Sequence, residues 1–467
     1  METQHKTAIV ILTYNNLQYN QDCIESIRTY TAPGTYELIV VDNCSTDGTR
    51  EWLLRQPGIK LRLNDYNVGF PAGCNMGVAL AERGSDILLL NNDTVVTASW
   101  LDNLKACLYS ADDIGAAGAV CNHDENLQGL ALSYKTLEEM QELAAVNNRS
   151  DSRRWEEKAF LIGFCILIKR KVLDQIGLLD VSYSPGYVED NDLSLRILSA
   201  GYRLMLCRDC FIHHYLGSQF RKDPDKFYPV LNRNRDLFQR KWGFRTAAFD
   251  EVKFASLRMY RESAHEPPKR ILDLGCGIGV TLLKLKAEYP AAELYGVEPD
   301  AAMAHIAKRF AAVSVAPAGE FPLAFAKGSF DCILIGNALE KTQAPEALLR
   351  GLLPYLAEEG TVLGEVHNLG HYDVLKSLLR GSFLYAADAL DRASRTFFAR
   401  DDLFAIAERC GFRPPRLLHW YSEPAGEETP FIAALGTLAG EERTYLYRTR
   451  LFVFEMEKRQ AAAPLPT

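Results

Sequence analysis

The chain has 467 residues, 48% of them hydrophobic, and a net charge of −8. That length accommodates two or three domains of ~150 residues, and the negative balance excludes a nucleic-acid surface built on bulk positive charge. The eleven cysteines are scattered through apolar segments such as Phe164-Cys165-Ile166 and Asp331-Cys332-Ile333. That is the usage of buried, reduced thiols and not of a disulfide framework.

In chain order, strands are predicted at Ala8–Thr13, Glu37–Val41, Ile59–Leu63 and Ile87–Asn91. They alternate with helices at Gln21–Tyr30, Thr49–Leu54, Ala72–Arg83 and Trp100–Tyr109. Alternation of this kind implies an α/β fold with a mostly parallel sheet and a ligand at the C-terminal ends of its strands. Thr13-Tyr14-Asn15 closes the first strand and Asp42-Asn43 the second. An aromatic face beside a carboxylate and an amide can stack on a base and hydrogen-bond its edge and ribose; packing for Tyr14 and helix capping for Asp42 are the plainer alternatives. Ser45 to Thr49 supplies cap chemistry and exposed backbone donors. The loop from Asn67 to Gly77, with Gly69 and Asn75, permits close backbone approach and opens a helix whose N-terminus favours phosphate. Asn91-Asn92-Asp93 then ends an apolar strand, placing one carboxylate where a hard divalent cation, Mn or Mg, could bridge it to a diphosphate.

The longest apolar run, Phe160 to Ile168, stops at Lys169-Arg170-Lys171, short of the ~18 residues that span a bilayer. Ala8 to Leu12 is too brief for a signal peptide. A cytoplasmic protein is therefore expected, which an acceptor carried on lipid could hold at the inner face of the membrane. Cys207 and Cys210 form a CxxC, but no second pair at zinc spacing follows, and the segment reads as a strand end. Acids cluster at Glu189-Asp190-Asn191-Asp192; without further context they begin a helix, with Asp192 reaching Arg196 one turn on. Arg233, Arg235 and Arg240 read as a solvated helix face, with a lesser chance of gripping an anionic acceptor carrier.

Mixed polar sequence from Arg245 to Lys269, including Glu266-Pro267-Pro268, precedes a second alternating series. The expected division is 1–245 for the first domain, 246–268 for a linker, 269–460 for the second domain and 461–467 for a disordered tail. The second series opens with Arg270 to Gly279, a strand followed by G-x-G-x-G and a helix start. The dinucleotide fingerprint would need a further glycine at Val280. Glu298 ends the next strand, where its carboxylate can take two ribose hydroxyls.

The motifs of the first series together resemble family 2 glycosyltransferases of the GT-A fold, in particular the rhamnosyltransferase-like group. The resemblance covers about half the chain and implies inverting transfer from a nucleotide-sugar donor to a glycan or lipid-linked acceptor. It implies donor contacts from Thr13, Tyr14, Asn15, Asp42, Asn43, Gly69, Asn75 and Asn92. A DxD-type motif stands in the family where this chain has Asn91-Asn92-Asp93; its first acid is an amide here, leaving Asp93 as the metal ligand, with His213 as a ligand or phosphate contact. Asp190, with Glu189 beside it, takes the role of the base that deprotonates the acceptor hydroxyl. Phe160 to Cys165 and Gly177 to Asp180 resemble the acceptor side.

The second series resembles class I S-adenosylmethionine methyltransferases with a Rossmann-like fold, of the group found beside glycan-synthesis enzymes. Ser329 to Glu340, Glu365 to His371, Leu390-Asp391-Arg392 and Phe397-Phe398 carry the likeness. It implies a cofactor held by Asp273, Gly275, Gly277, Gly279, Glu298 and Asn337. The family commonly has histidines where this chain has Lys341 and Ser394, which leaves His371 as the family-matching base. The combined expectation is a bifunctional enzyme of polysaccharide biosynthesis that adds a sugar and methylates a sugar hydroxyl. The alternative is an active glycosyltransferase whose methyltransferase-like domain only binds or scaffolds. Nucleotidyltransfer on a similar fold would need a G-x-G-T-R stretch near residue 12, which is not there.

Overall fold

The computed structural model describes residues 6–123, 128–216, 223–263, 265–383, 390–423, 426 and 428–459. The chain folds as two compact units, Met1–Asp250 and Glu251–Thr467, both α/β. The tail at 461–467 lies outside the described residues.

In the first unit the strands are β1 (Thr7–Thr13), β2 (Tyr36–Asp42), β3 (Ile59–Leu63), β4 (Asp86–Asn91), β5 (Thr94–Val95), β6 (Ile114–Cys121), β7 (Trp155–Lys158), β8 (Cys165–Ile168) and β9 (Arg203–His214). The sheet runs β3-β2-β1-β4-β8-β6-β9-β5, with β7 on β9. From β3 to β4 it is parallel. Beyond β4 it is mixed, because β8 lies antiparallel to both β4 and β6. β1 reads TAIVILT and is buried almost throughout, as a strand covered on both faces must be. The helix Phe70–Val78 comes so near that a Cβ on Gly73 or Gly77 would strike Leu12 or Val10 of β1. Those two glycines therefore serve helix–sheet packing and not phosphate. Cys207 and Cys210 are buried inside the long strand β9, not at its end; burial pushes both thiols well above their ordinary range, against metal ligation.

The second unit contains β10 (Arg270–Leu274), β11 (Glu293–Glu298), β12 (Ala312–Val315), β13 (Phe330–Gly336), β14 (Leu356–His367), β15 (Arg416–Tyr421) and β16 (Thr449–Glu457). Its order is β12-β11-β10-β13-β14-β16-β15, parallel from β12 to β14, with β16 antiparallel to both neighbours. Each unit thus reverses strand order beside its first strand, between β1 and β4 and between β10 and β13. Such a switch point opens a crevice beyond the strands' C-terminal ends.

The stretch 246–268, expected as a linker, is mostly built into the two units. Phe249 packs on Phe238 and Phe160 at ring separations of 6.0 and 5.3 Å in the first. The helix Phe254–Glu262 buries Leu257, Met259 and Tyr260 in the second, against Ile271, Leu334 and Leu363. Among the described residues no helix is long and apolar enough to cross a membrane.

Candidate functional site

At the switch point of the first unit lies a cleft of about 1420 Å³. Tyr14, Asn15, Asn43, Asn92, Asp93, Glu189 and Asp190 line it together. Tyr14 is half exposed, as an aromatic platform for a flat ligand needs to be. Asn15 adopts φ 60°, a left-handed conformation that asparagine tolerates. Its N–H donates to Ser45 Oγ at 2.7 Å and its Oδ1 accepts from Thr46 N at 2.8 Å.

Asp42, Thr13, Gly69 and Asn75, also expected to touch a donor, stand behind this wall, and with Asn43 on it they shape the cleft. Asp42 is fully buried; it pairs with Arg50 Nε at 3.0 Å and accepts from Ser45 N. Thr13 is buried and accepts from Asn92 Nδ2 at 3.3 Å. Asn43 donates to Asn67 Oδ1 at 2.8 Å and accepts from Val68 N at 3.0 Å, tying two loops of the rim. Gly69 sits at φ 85°, with Ser184 and Pro185 3.0 Å from where a Cβ would be. Asn75 makes a paired amide contact with Leu179, donating to its O at 2.8 Å and accepting from its N at 3.0 Å.

The histidine beside Asp93 is His214, not His213. Successive residues of a strand face opposite sides, and His214 Nε2 lies 3.2 Å from Asp93 Oδ1. His213 instead bonds Tyr134 Oη through Nδ1 at 2.6 Å. Burial and the neighbouring His123 and His214 pull His213 down to about 4. Burial would also lower His214, but the Asp93 carboxylate outweighs it and pushes the imidazole up to about 9. No group of three metal-ligating side chains converges among the described residues. The residues fit an ion of the type held by one or two carboxylates with ligand phosphates completing its shell: Asp93 would be the protein ligand, with His214 beside it.

Glu189 and Asp190 open the helix Glu189–Ser199, and the two residues before it, Tyr187 and Val188, sit at φ 74° and 78°. Two consecutive non-glycine residues in that region are costly and persist only where the surroundings enforce them. Asn234, on the helix Pro224–Trp242, does so: its side-chain amide donates to the carbonyls of Tyr183, Gly186 and Tyr187 at 2.7, 2.8 and 3.0 Å. Asp190 accepts from Gly163 N at 3.0 Å and Asn191 N at 2.9 Å, which fixes the carboxylate's orientation. Burial, then the charge of Asp190, pushes Glu189 up to about 8. Asp192 is fully buried and holds Arg196, Lys241 and Trp242 at 2.8, 2.7 and 2.9 Å; it anchors the helix, with Arg196 one turn on.

In the second unit the turn after β10 places Gly275, Gly277 and Gly279 at φ 69°, 56° and 92°. Glu298 accepts from Gly277 N at 2.8 Å and Asp300 N at 3.0 Å, and each carboxylate oxygen retains acceptor capacity for a ribose hydroxyl. Asp273 is fully buried, with Oδ2 unpartnered. Its Oδ1 meets Lys253 Nζ. Asn337 follows β13 and donates to Asp391 at 3.4 Å. An unpartnered buried carboxylate oxygen beside a glycine turn and a ribose-type acid fits a nucleoside with an amino-acid end.

His371 does not open onto this edge. It is 1% exposed, caps the helix Tyr372–Leu379 through Nδ1 and meets Ser422 Oγ at 3.2 Å; burial lowers it to about 4. The histidine at the strand end is His367, whose Nδ1 lies 3.0 Å from the buried Glu340 and whose backbone N donates to the same carboxylate. Burial opposes its protonation, yet Glu340 raises it above its ordinary value. Asn234 lies in no motif of the sequence, whereas His367 stands inside the family-like Glu365–His371 run. The further signal for His367 is its place at the end of an apolar strand.

Residues 8–177 match the family described as "Glycosyl transferase family 2", and residues 240–415 match one described as "Methyltransferase domain". An "Uncharacterized protein y4gI" of Sinorhizobium fredii is 27% identical over 52% of this chain and 28% of its own length. The malonyl-[acyl-carrier protein] O-methyltransferase of Geobacter sulfurreducens is 29% identical over 31% of this chain and 56% of its own. The chain thus spans less than two thirds of either curated relative. Among solved structures, the mannosyltransferase PcManGT of Pyrobaculum calidifontis is 19% identical, covering 49% of this chain and 68% of that one at a TM-score of 0.35. One chain accordingly carries two domains of transferase type, a family 2 glycosyltransferase domain matched over residues 8–177 and a methyltransferase domain matched over residues 240–415, each on an α/β fold.

Proposed function

We propose that the first unit transfers a sugar, with inversion, from a nucleotide-sugar donor to a glycan or lipid-linked hydroxyl. The observation that carries this is the presence of Asp93 and Asp190 in one cleft with Tyr14 and Asn43. Tyr14 and the asparagine rim receive the nucleoside. A divalent ion, when bound at Asp93, supplies charge neutralisation for the diphosphate. Asp190 takes the proton of the attacking hydroxyl as the bond to the sugar carbon forms and the nucleoside diphosphate leaves. Glu189, kept neutral by burial, adds no second negative charge beside that base.

The second unit, in this reading, binds S-adenosylmethionine and methylates a hydroxyl of the glycan product. The cofactor supplies an electrophilic methyl group. Glu298 and the Gly275–Gly279 turn hold the nucleoside, while His367, steadied by Glu340, takes the hydroxyl proton. His367 replaces His371 in that role because it lies at the C-terminal edge of β14, the edge that carries the glycine turn of β10. The O-methyltransferase relative supports the reaction class. Glycan synthesis, the two activities in one chain and any membrane association belong to this proposal.

Asp190→Asn tests the first unit. It should lower glycosyl transfer by about 10²–10⁴-fold while donor binding, followed by calorimetry with a panel of nucleotide sugars and manganese, stays intact. Turnover near that of the wild type would remove Asp190 as the base.

A further inference from the structure

A lysine lies over the glycine turn of the second unit. Lys253 Nζ bonds Asp273 Oδ1, the carbonyl of Leu274 at 3.0 Å and that of Gly275 at 2.9 Å. An ammonium has three hydrogens, and three acceptors receive them here. Its chain lies against Gly336, where a Cβ would come within 2.9 Å of Lys253 Cε. The segment leading to it is tethered to the first helix after the turn: Lys253 N donates to Thr281 Oγ1 at 3.2 Å, and Thr281 Oγ1 to Glu251 O at 3.4 Å. Residues 251–253 thus form a strap across the turn, ending in a cation seated on a ring of acceptors.

Such a ring matches the three donors of an ammonium. One anionic oxygen and two carbonyls converge at the C-terminal end of β10, where a bound nucleoside would extend any amino-acid tail from a ribose on Glu298. Lys253 cannot also grip the carboxylate of that tail, since its donors are already committed. Exchange is a different matter. Replacing one ammonium by another keeps the buried Asp273 paired, so the heavy cost of an isolated buried carboxylate never arises.

We propose that Lys253 occupies the seat of the cofactor's α-ammonium, so that the 251–253 strap is a built-in competitor which the methyl donor displaces on binding. The inference rests on the reading of the second unit as an S-adenosylmethionine site and assigns its self-occupied subsite. The strap then discriminates among adenosine derivatives: only those with an amino-acid end can evict Lys253.

Two ligands separate this from alternatives in the full-length protein. S-adenosylhomocysteine carries the α-ammonium, whereas 5′-methylthioadenosine has the same base, ribose and sulfur without it. Removal of a competing closed state raises affinity by the reciprocal of the fraction that was open. Lys253→Met should therefore tighten S-adenosylhomocysteine by about tenfold and leave 5′-methylthioadenosine unchanged in calorimetry. Equal or weaker binding of S-adenosylhomocysteine by the variant, or parallel shifts for both ligands, would overturn the proposal. Because the variant leaves Asp273 without its partner, the wild type provides a second readout, acetylation of the Lys253 amine followed by mass spectrometry. Labelling should rise with S-adenosylhomocysteine and not with 5′-methylthioadenosine; unchanged protection at saturating S-adenosylhomocysteine makes Lys253 a permanent counter-ion and ends the idea. If neither ligand binds the wild type, the cofactor reading itself fails, and the inference with it. Binding that Glu298→Ala weakens but Lys253→Met leaves alone overturns the inference only.

Discussion

The carboxylate of Glu340 holds Nδ1 of His367 at 3.0 Å, so the imidazole is oriented by a buried acid and turns its other nitrogen away from it. A base steered by a third group is a recurring arrangement for activating a hydroxyl. His367→Ala should lower methyl transfer by about 10²–10⁴-fold with S-adenosylhomocysteine affinity unchanged. His371→Ala removes a helix cap and strands Ser422, so its effect falls on stability, by about 1–3 kcal/mol, read as a lower Tm with turnover per folded molecule retained. The reverse pattern would restore His371 as the base.

Asp93 and the two adjacent histidines separate by the same logic. Asp93→Ala should abolish the gain in donor affinity that manganese gives, because the diphosphate loses the carboxylate that shares its ion. His213→Ala, which loses a bond to Tyr134, should leave that gain in place. Calorimetric titration of the nucleotide sugar with and without manganese decides both. Donor binding of Asp93→Ala that still responds to manganese places the ion elsewhere.

Asn234→Ala withdraws one donor from three carbonyls of the 183–187 loop. The expected cost is about 1–3 kcal/mol, concentrated on a loop already strained at Tyr187 and Val188. Glycosyl turnover should fall more than donor affinity, and amide hydrogen exchange should quicken at 183–188 first. Unaltered exchange there would make the clamp irrelevant to the base.

Glu189 sets a pH dependence with a definite sign. Its ordinary value of 4.5 is raised to about 8 by burial and by Asp190, so between those limits the folded protein keeps a proton that the unfolded chain has released. Stability contributed by the neutral form is complete below about pH 4.5 and is lost as pH rises through about 8. Glu189→Gln should flatten this part of the profile and raise stability near pH 8 relative to wild type, measured by denaturant unfolding across the range. A wild-type profile with no decline from this residue would show that Glu189 ionises normally.

Much of the scaffold was legible because its signals are local. Strands such as β1 and β2 announce themselves as continuous β-branched runs, and the residues just beyond them fall at one sheet edge without further information. The glycine turn and Glu298 were legible for the same reason. What escaped was decided by the face on which a residue lands. Pairing β5 with β9 puts His214 on Asp93 and turns His213 to Tyr134, a choice that adjacent histidines in a sequence do not reveal. Asp42 and Thr13, recognised as edge residues, and Asn75, expected as a donor contact, spend their polar atoms on the frame. Lys253 lay in a stretch that looked like a linker, since its strap has no apolar period and its contacts are with the carboxylate, hydroxyl and carbonyl oxygens of distant residues. The stretch nevertheless folds into the two units, because Phe249, Leu257, Met259 and Tyr260 each find a core to enter.

Asn234 carries a consequence for how this catalyst can change. The residues matching the glycosyltransferase family stop at 177, yet the loop that presents Asp190 and the helix that restrains it both lie after that point. That later segment is nevertheless tied to the matched residues, through Gly163 N on Asp190 and the paired contact of Asn75 with Leu179. A graft of residues 178–242 would exchange β9 and the His214 that sits on Asp93 along with the acid loop, whereas a graft that ends before Asn234 would transplant the acid loop without its clasp.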